Sequence, residues 1–303
     1  MTPKILITDK IDESAINEAR KFADVTCDFG ASEEKIINEI PDYDALIVRS
    51  GTQVTRKIIE ASNLKVIGRA GVGLDNIDLV AAKEKGIAVV NAPESLTIAV
   101  AELTFGLMIS LMRNIVRGDK SLREQKWDRN KFMGNELYGK TIGVVGFGRI
   151  GREVADRANA FGMKVLTYDP FVTVEDARES NATLMSDIDE LLKNSDVVSV
   201  HAPLTNNTRH LINADKLKLM KNSAVIVNLA RGGLVDTNAL VDALKNKEIA
   251  GAGLDVFETE PLGASPLLEY DNVVLTPHLG ASSAEAQVIA GTIVVEKIKG
   301  MLR

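Results

Sequence analysis

Arg231, Glu260 and His278 are the residues whose types and order suit chemistry. Arg231 opens Arg231-Gly232-Gly233, Glu260 precedes Pro261, and His278 lies in Pro277-His278-Leu279-Gly280. Each follows a short apolar run, at Ala224–Asn228, Gly251–Val256 and Val273–Thr276. In an open α/β sheet such runs read as buried strands, and ligands sit off their carboxyl ends. A guanidinium holds a carboxylate through two parallel bonds, which an ammonium cannot reproduce. An imidazole takes and returns a proton near neutral pH. A carboxylate beside that imidazole favours its charged form and fixes its tautomer. Singly, these residues read as a surface cation, a loop charge and a structural histidine. Three in order, each just past a strand, suit redox chemistry on a 2-hydroxy acid instead.

The elements that would position them begin upstream. Thr141–Val145 reads as a strand running into Gly146-Phe147-Gly148-Arg149-Ile150-Gly151, and Arg152–Phe161 reads as a helix. A second strand, Met163–Tyr168, ends at Asp169. A lone glycine motif is weak, but strand, glycine turn, helix, strand and then an acid about 20 residues on is the dinucleotide-binding pattern. Gly146 permits the tight turn, Gly148 the approach of a pyrophosphate, and Gly151 close helix–strand packing. The helix N-terminus offers amides to phosphate. Asp169 would accept bonds from ribose hydroxyls and repel a 2′-phosphate, and Pro170 and Phe171 supply no cation, so NAD is expected over NADP. Gly134–Thr141 also matches the phosphate-loop pattern GxxxxGK[ST]. That match precedes a strand instead of opening a helix, so nucleoside triphosphate hydrolysis is rejected.

The dinucleotide unit begins near the middle, so a full domain should precede it. Strands are expected at Lys4–Thr8, Ala45–Val48, Lys65–Ile67 and Ala88–Val90, and helices at Glu13–Phe22, Ser32–Ile40, Thr55–Ala61 and Asp78–Lys85. The fold class is therefore α/β, two Rossmann- or flavodoxin-like parallel-sheet domains. Thr97–Arg117 reads as one long helix, apolar on more than one face and placed between the domains. The amphipathic segment Ser282–Leu302 should pack back on the first domain. The expected division is 1–94 with 283–303, a discontinuous substrate domain, and 95–282, a cofactor domain. Gly71-Val72-Gly73 is either an anion-binding nest or an ordinary turn. His201 reads as structural at a strand exit, and His210 as a solvated or packing residue in a polar loop.

Composition narrows the partners. At 303 residues the chain suits two sizeable cores, and a net charge of −6 without basic runs argues against nucleic acid. Cys27 is the only cysteine, so no internal disulfide forms and no metal site is expected. The N-terminus lacks a signal-peptide core, and Glu102 breaks the apolar stretch Ile98–Met112, so a cytoplasmic protein off the membrane is expected. Trp127, the only tryptophan, stands in the charged region Asn114–Leu137 and reads as the anchor of a homodimer.

The whole chain resembles the NAD-dependent D-2-hydroxyacid dehydrogenase family. The resemblance rests on Arg69–Asp78, the Gly146–Gly151 fingerprint, Asn228–Asp236, Asp255–Leu262 and Pro277–Ser283. It implies a catalytic trio of Arg231, Glu260 and His278. It implies cofactor contacts at Val72, Gly146, Gly148, Arg149, Ile150, Gly151, Asp169, Ala202, Pro203, Leu229, Ala230, Arg231, Asp255, His278 and Gly280. Substrate contacts are implied at Arg49, Ser50, Val72, Gly73, Arg231 and His278. Val72 stands where some relatives carry Thr, which leaves a backbone contact to the cofactor but removes a side-chain one. The reaction implied is hydride transfer between carbon 2 of a small 2-hydroxy or 2-oxo acid and nicotinamide. Val48–Thr55 and Trp127–Leu137 point to a branch acting on a phosphorylated three-carbon acid. Arg49 then reads as a contact to the far end of the substrate, or else as a surface salt bridge. A reductase of the unphosphorylated acids hydroxypyruvate or glyoxylate, and an NAD-sensing scaffold, stay open as alternatives. Larger relatives carry a C-terminal regulatory domain, and this chain stops before one, so feedback inhibition through it is not expected.

Overall fold

Short β-branched runs alternate with helices whose first residues carry their own caps. The computed structural model describes residues 2–302. In chain order the elements are β1 (Lys4–Ile7), α1 (Glu13–Arg20), β2 (Asp24–Cys27), α2 (Glu33–Glu39), β3 (Ala45–Val48), α3 (Arg56–Ala61), β4 (Val66–Arg69), α4 (Leu79–Glu84) and β5 (Ala88–Asn91). Two helices follow, α5 (Thr97–Met112) and α6 (Ile115–Arg123). Then come β6 (Thr141–Val145), α7 (Arg149–Ala160), β7 (Lys164–Tyr168), α8 (Val174–Glu179), β8 (Ala182–Leu184), α9 (Ile188–Asn194) and β9 (Val197–Val200). The chain ends with α10 (Ala214–Leu219), β10 (Val225–Asn228), α11 (Thr237–Lys245), β11 (Gly251–Leu254), β12 (Val273–Leu275) and α12 (Ala284–Met301). Asp12, Ser32, Asp78, Asp236 and Ser283 each accept a bond from an amide in the first turn of the helix they precede. Such caps satisfy amides that have no partner inside the helix.

Residues up to Thr97 and from Ala281 onward form one unit, and Ile98–Gly280 form the other. The first unit holds a parallel five-stranded sheet in the order β2-β1-β3-β4-β5, the flavodoxin order. Helix α12 covers one face, packing on α1, β4 and β5. Its Ala290, Val294, Val295 and Ile298 join a buried cluster with Ile5, Ile7 and Val66. Strand β2 has no apolar run to announce it, because it is a mostly exposed edge strand.

The second unit holds a parallel seven-stranded sheet in the order β12-β11-β10-β9-β6-β7-β8. The order reverses direction between β9 and β6, which creates a switch point at their carboxyl ends. Helix α5 lies close over β11, where Gly253 leaves room. A Cβ there would sit 3.1 Å from Leu111 Cδ1 and 3.2 Å from Leu107 Cβ.

The expected single helix Thr97–Arg117 is in fact two, bent by 62°. Asn114 takes a left-handed φ of 52° at the break. The amide of Asn135 donates to the Met112 carbonyl at 2.7 Å, occupying an acceptor at the end of α5. The returning loop comes this close only because residue 134 is glycine, since its Cβ would lie 2.4 Å from that carbonyl oxygen. Gly134, first residue of the phosphate-loop match, therefore serves a backbone crossing. Among the described residues no single helix is long and apolar enough to cross a membrane.

The α12 seal yields a prediction. A Cβ at Gly68 of β4 would lie 2.5 Å from Val294 Cγ1 and 2.7 Å from Ile298 Cδ1. Gly68→Val should destabilise the unit by about 1–3 kcal/mol through overpacking. Urea unfolding would show a lower midpoint; an unchanged midpoint would mean that α12 yields freely.

Candidate active site

The three strands that lead to Arg231, Glu260 and His278 are neighbours in the sheet, β10, β11 and β12. Their parallel register brings the ends Asn228, Leu254 and Leu275 to one edge. His278 Nδ1 lies 2.7 Å from Glu260 Oε2. A carboxylate only accepts, so Nδ1 carries the proton and Nε2 is left for another partner. Glu260 is itself oriented, because its Oε1 accepts the Phe257 amide at 3.0 Å. Both side chains are partly open to solvent, as a group that must meet a substrate has to be.

His278 has a left-handed backbone, φ 55°, which costs a non-glycine residue on the order of 1 kcal/mol or more. The fully buried Asp255 holds it there. The Asp255 carboxylate accepts from the Thr276 hydroxyl (2.6 Å) and the amides of Leu279 and Gly280 (both 2.7 Å). Its carbonyl accepts the His278 amide at 2.9 Å. With no exposed surface and both carboxylate oxygens engaged, its side chain fixes the strand exit that carries His278.

Arg231 sits on an asparagine-built turn. Asn228 Oδ1 accepts the Ala230 amide and Asn228 Nδ2 donates to the Arg231 carbonyl, each at 3.0 Å. Asn228 is buried and belongs to the site although sequence reading gave it no role. An asparagine two residues before the amide it caps was the available signal. The Arg231 guanidinium donates to the Ala230 carbonyl at 2.7 Å. Gly232 then meets the next strand exit backbone to backbone, since its Cβ would fall 1.9 Å from the Phe257 carbonyl carbon.

The fingerprint glycines separate into two kinds. Gly146, at φ 93°, packs against the exit of β9, and its Cβ would lie 2.6 Å from the Ala202 amide nitrogen. Gly151 packs on the turn itself, with its Cβ 2.2 Å from the Gly146 carbonyl oxygen. Gly148 caps α7, and nothing lies within 4 Å of where its Cβ would be. That gap opens on the first amides of α7, at Arg149, Ile150 and Gly151, so the cradle fits a diphosphate. Asp169 accepts the amides of Phe147 (2.8 Å) and Phe171 (2.9 Å), one on each oxygen. Its carboxylate is thus fixed at the end of β7. Ala202 and Pro203 follow β9, Leu229 and Ala230 follow β10, and Gly280 follows β12, all at carboxyl ends.

Arg49, Ser50, Val72 and Gly73 belong to the other unit. Asp9 accepts the amides of Arg49 (2.6 Å) and Thr52 (3.0 Å), and Asn76 Nδ2 donates to the carbonyls of both, each at 2.7 Å. The Arg49 guanidinium donates to the Lys10 carbonyl at 3.3 Å, and among the described residues it has no carboxylate within ion-pair range. At the glycine pair, the Gly71 amide donates to the Arg69 carbonyl at 2.8 Å, so that donor already serves an ordinary tight turn.

The other two histidines differ from each other. His201 Nε2 lies 2.7 Å from the Ser199 hydroxyl, and burial pushes its pKa down to about 4. His210, expected to be solvated or packing, is partly exposed and also bonds Glu258 Oε2 at 2.8 Å.

The model of the D-isomer specific 2-hydroxyacid dehydrogenase NAD-binding domain matches residues 105–280. A D-3-phosphoglycerate dehydrogenase of Methanocaldococcus jannaschii is 54% identical over 99% of this chain and 57% of its own length. A hydroxypyruvate reductase of Thermotoga maritima is 46% identical over 97% of both chains. The solved D-lactate dehydrogenase of Aquifex aeolicus, complexed with NAD and lactic acid, superimposes with a TM-score of 0.86 at 33% identity, covering 99% of this chain and 95% of that one. The chain spans about half the length of the phosphoglycerate dehydrogenases it matches.

His201 makes a pH prediction. Its folded pKa is about 4 against an ordinary 6.5, so the unfolded chain takes up a proton there that the folded chain refuses. Its neutral form supports the fold fully above about pH 6.5, and the support is lost as pH falls towards about 4, by about 3 kcal/mol. His201→Gln should remove that slope. Urea midpoints of both proteins across this range test it, and parallel curves would sink it.

Proposed function

The chain belongs to the D-isomer-specific 2-hydroxyacid dehydrogenase family, and on that premise we propose that it interconverts 3-phosphoglycerate and 3-phosphohydroxypyruvate. This would be the oxidation that opens serine biosynthesis. NAD is the cofactor, in keeping with the family model and with the cradle at Gly148. When bound, NAD supplies the hydride acceptor or donor. The observation that carries the chemistry is the 2.7 Å bond from His278 Nδ1 to Glu260. It leaves Nε2 to take the hydroxyl proton in oxidation and return it to the carbonyl oxygen in reduction. Glu260 steadies the imidazolium that forms on oxidation. Arg231 holds the substrate carboxylate and polarises the adjacent carbonyl. Arg49 is assigned to the phosphate end.

The 54% identity to the Methanocaldococcus protein supports the phosphorylated substrate. A hydroxypyruvate reductase is the second reading, favoured by a relative matched over 97% of its own length. Purified protein assayed with NAD or NADH against 3-phosphoglycerate, phosphohydroxypyruvate, hydroxypyruvate, glyoxylate, pyruvate and 2-oxoglutarate separates the two. A higher kcat/KM for hydroxypyruvate than for its phosphate would overturn the first.

His278→Ala should lose about 10²–10⁴ in turnover with little change in NADH affinity. Near-normal turnover would remove His278 from the mechanism. Asp169→Ala with Phe171→Arg should admit NADP; a wild type that already prefers NADP in kcat/KM would refute the role given to Asp169.

A cytoplasmic homodimer acting on a small molecule, away from nucleic acid and membranes, completes the proposal. Trp127 (83% exposed), Met133 (87%) and Tyr138 (78%) support an interface in the second unit. Sedimentation of wild type and Trp127→Ala at micromolar concentration tests it. A monomeric wild type would reject the dimer, and an unweakened mutant dimer would reject Trp127 as its anchor.

A further inference from the structure

The turn that carries Glu260 carries a second acid two residues earlier, Glu258, and that acid has its own histidine. His210 Nε2 lies 2.8 Å from Glu258 Oε2, and His210 Nδ1 lies 3.6 Å from Asp236 Oδ2. Glu258 also accepts the Thr237 amide at 3.0 Å and Arg209 Nη2 at 3.4 Å. Burial acts to raise the Glu258 pKa, but His210 and Thr237 outweigh it and keep the carboxyl low and charged.

His210 belongs to neither of the loops it joins. It lies between β9 and α10, in a left-handed conformation with φ 51°. Its amide donates to the Gly233 carbonyl at 2.8 Å, two residues beyond Arg231. Ile212 continues the contact as a parallel bridge to Val235. One residue therefore grips the Arg231 segment through its backbone and the Glu258–Glu260 turn through its ring. Those segments already touch, because Gly232 lies directly against the Phe257 backbone. The Phe257 amide in turn donates to Glu260 Oε1 at 3.0 Å. A shift of the 257–260 turn would thus move the carboxylate that orients His278.

We propose that His210 is a positioning residue for the Glu260–His278 pair, acting through Glu258. Its role in turnover rests on the dehydrogenase reading above; its effect on the His278 ring does not. The strained backbone at 210 fits this role, since non-glycine residues keep such conformations where the surroundings enforce them.

The chain has only three histidines, so nitrogen-15 labelling of their rings gives three separable sets of signals. His210→Ala should shift the His278 signals away from the Nδ1–H tautomer that the Glu260 bond favours in wild type. It should also lower kcat about 10- to 100-fold with hydroxypyruvate or its phosphate, the scale of losing an outer partner that aims a reacting group. NADH affinity, read by fluorescence, should stay within about twofold. His210→Gln returns a neutral donor to Glu258 and should recover most of the loss. Glu258→Gln breaks the pair from the other side, and combined with His210→Ala it should add little. Should His210→Ala fail to fold, Glu258→Gln must show the same His278 shift. A His278 spectrum indistinguishable from wild type in the foldable variants overturns the proposal. So does a glutamine variant no better than alanine. If wild type turns over none of the acids, the dehydrogenase reading fails instead, and the His278 ring spectra still decide the role of His210.

Discussion

The buried carboxylate of Asp255 is the constraint on which the site depends. Removing a charged carboxylate from water costs several kcal/mol unless donors replace the lost solvent. Thr276, Leu279 and Gly280 supply those donors, and all three belong to the segment that carries His278. The electrostatic need of one buried group thereby fixes the path of five residues. His278 accepts a left-handed backbone as a consequence, and its ring is delivered to Glu260. A Cβ at Gly280 would lie 3.2 Å from Asp255 Oδ2, a tight contact that would press on this carboxylate.

Backbone contact between strand exits does the rest. Gly146 meets Ala202 where the sheet order reverses, and Gly232 meets Phe257 one strand pair further along. Neither contact tolerates a side chain, so at these two points the loops meet main chain to main chain. Rotamer freedom then matters little to where the polar groups begin. This suits a site that must hold several groups in register across six adjacent strands, since a misplacement of about 1 Å can cost 100-fold in rate.

The parallel sheets were legible because their strands are buried on both faces and read as unbroken apolar runs. Strand β2 escaped because it is an exposed edge, and edges carry no such run. The break at Asn114 escaped for a different reason. Helix periodicity continues across it, and the interruption comes from Asn135, 21 residues later, taking a carbonyl of the last turn. Arg231, Glu260 and His278 were legible as types at strand ends. The bonds of Asp255 to Thr276, Leu279 and Gly280 were not legible, because sequence shows an acid near a site but not which donors it meets. His210 was hardest, since its partner lies 48 residues away and a polar loop gives no sign of it.

The three histidines show how surroundings put one kind of side chain to different uses. His201 is desolvated beside a hydroxyl and held neutral far below the ordinary range. His278 and His210 each face a carboxylate on the same short turn. What separates the two is the far side of each ring. His210 has Asp236 near its second nitrogen, so both nitrogens face fixed acids. His278 has Glu260 on Nδ1, which leaves Nε2 for the substrate of the proposed reaction. A ring with an acid near each nitrogen suits the positioning role proposed for His210, whereas a ring held at one nitrogen suits the proton transfer proposed for His278.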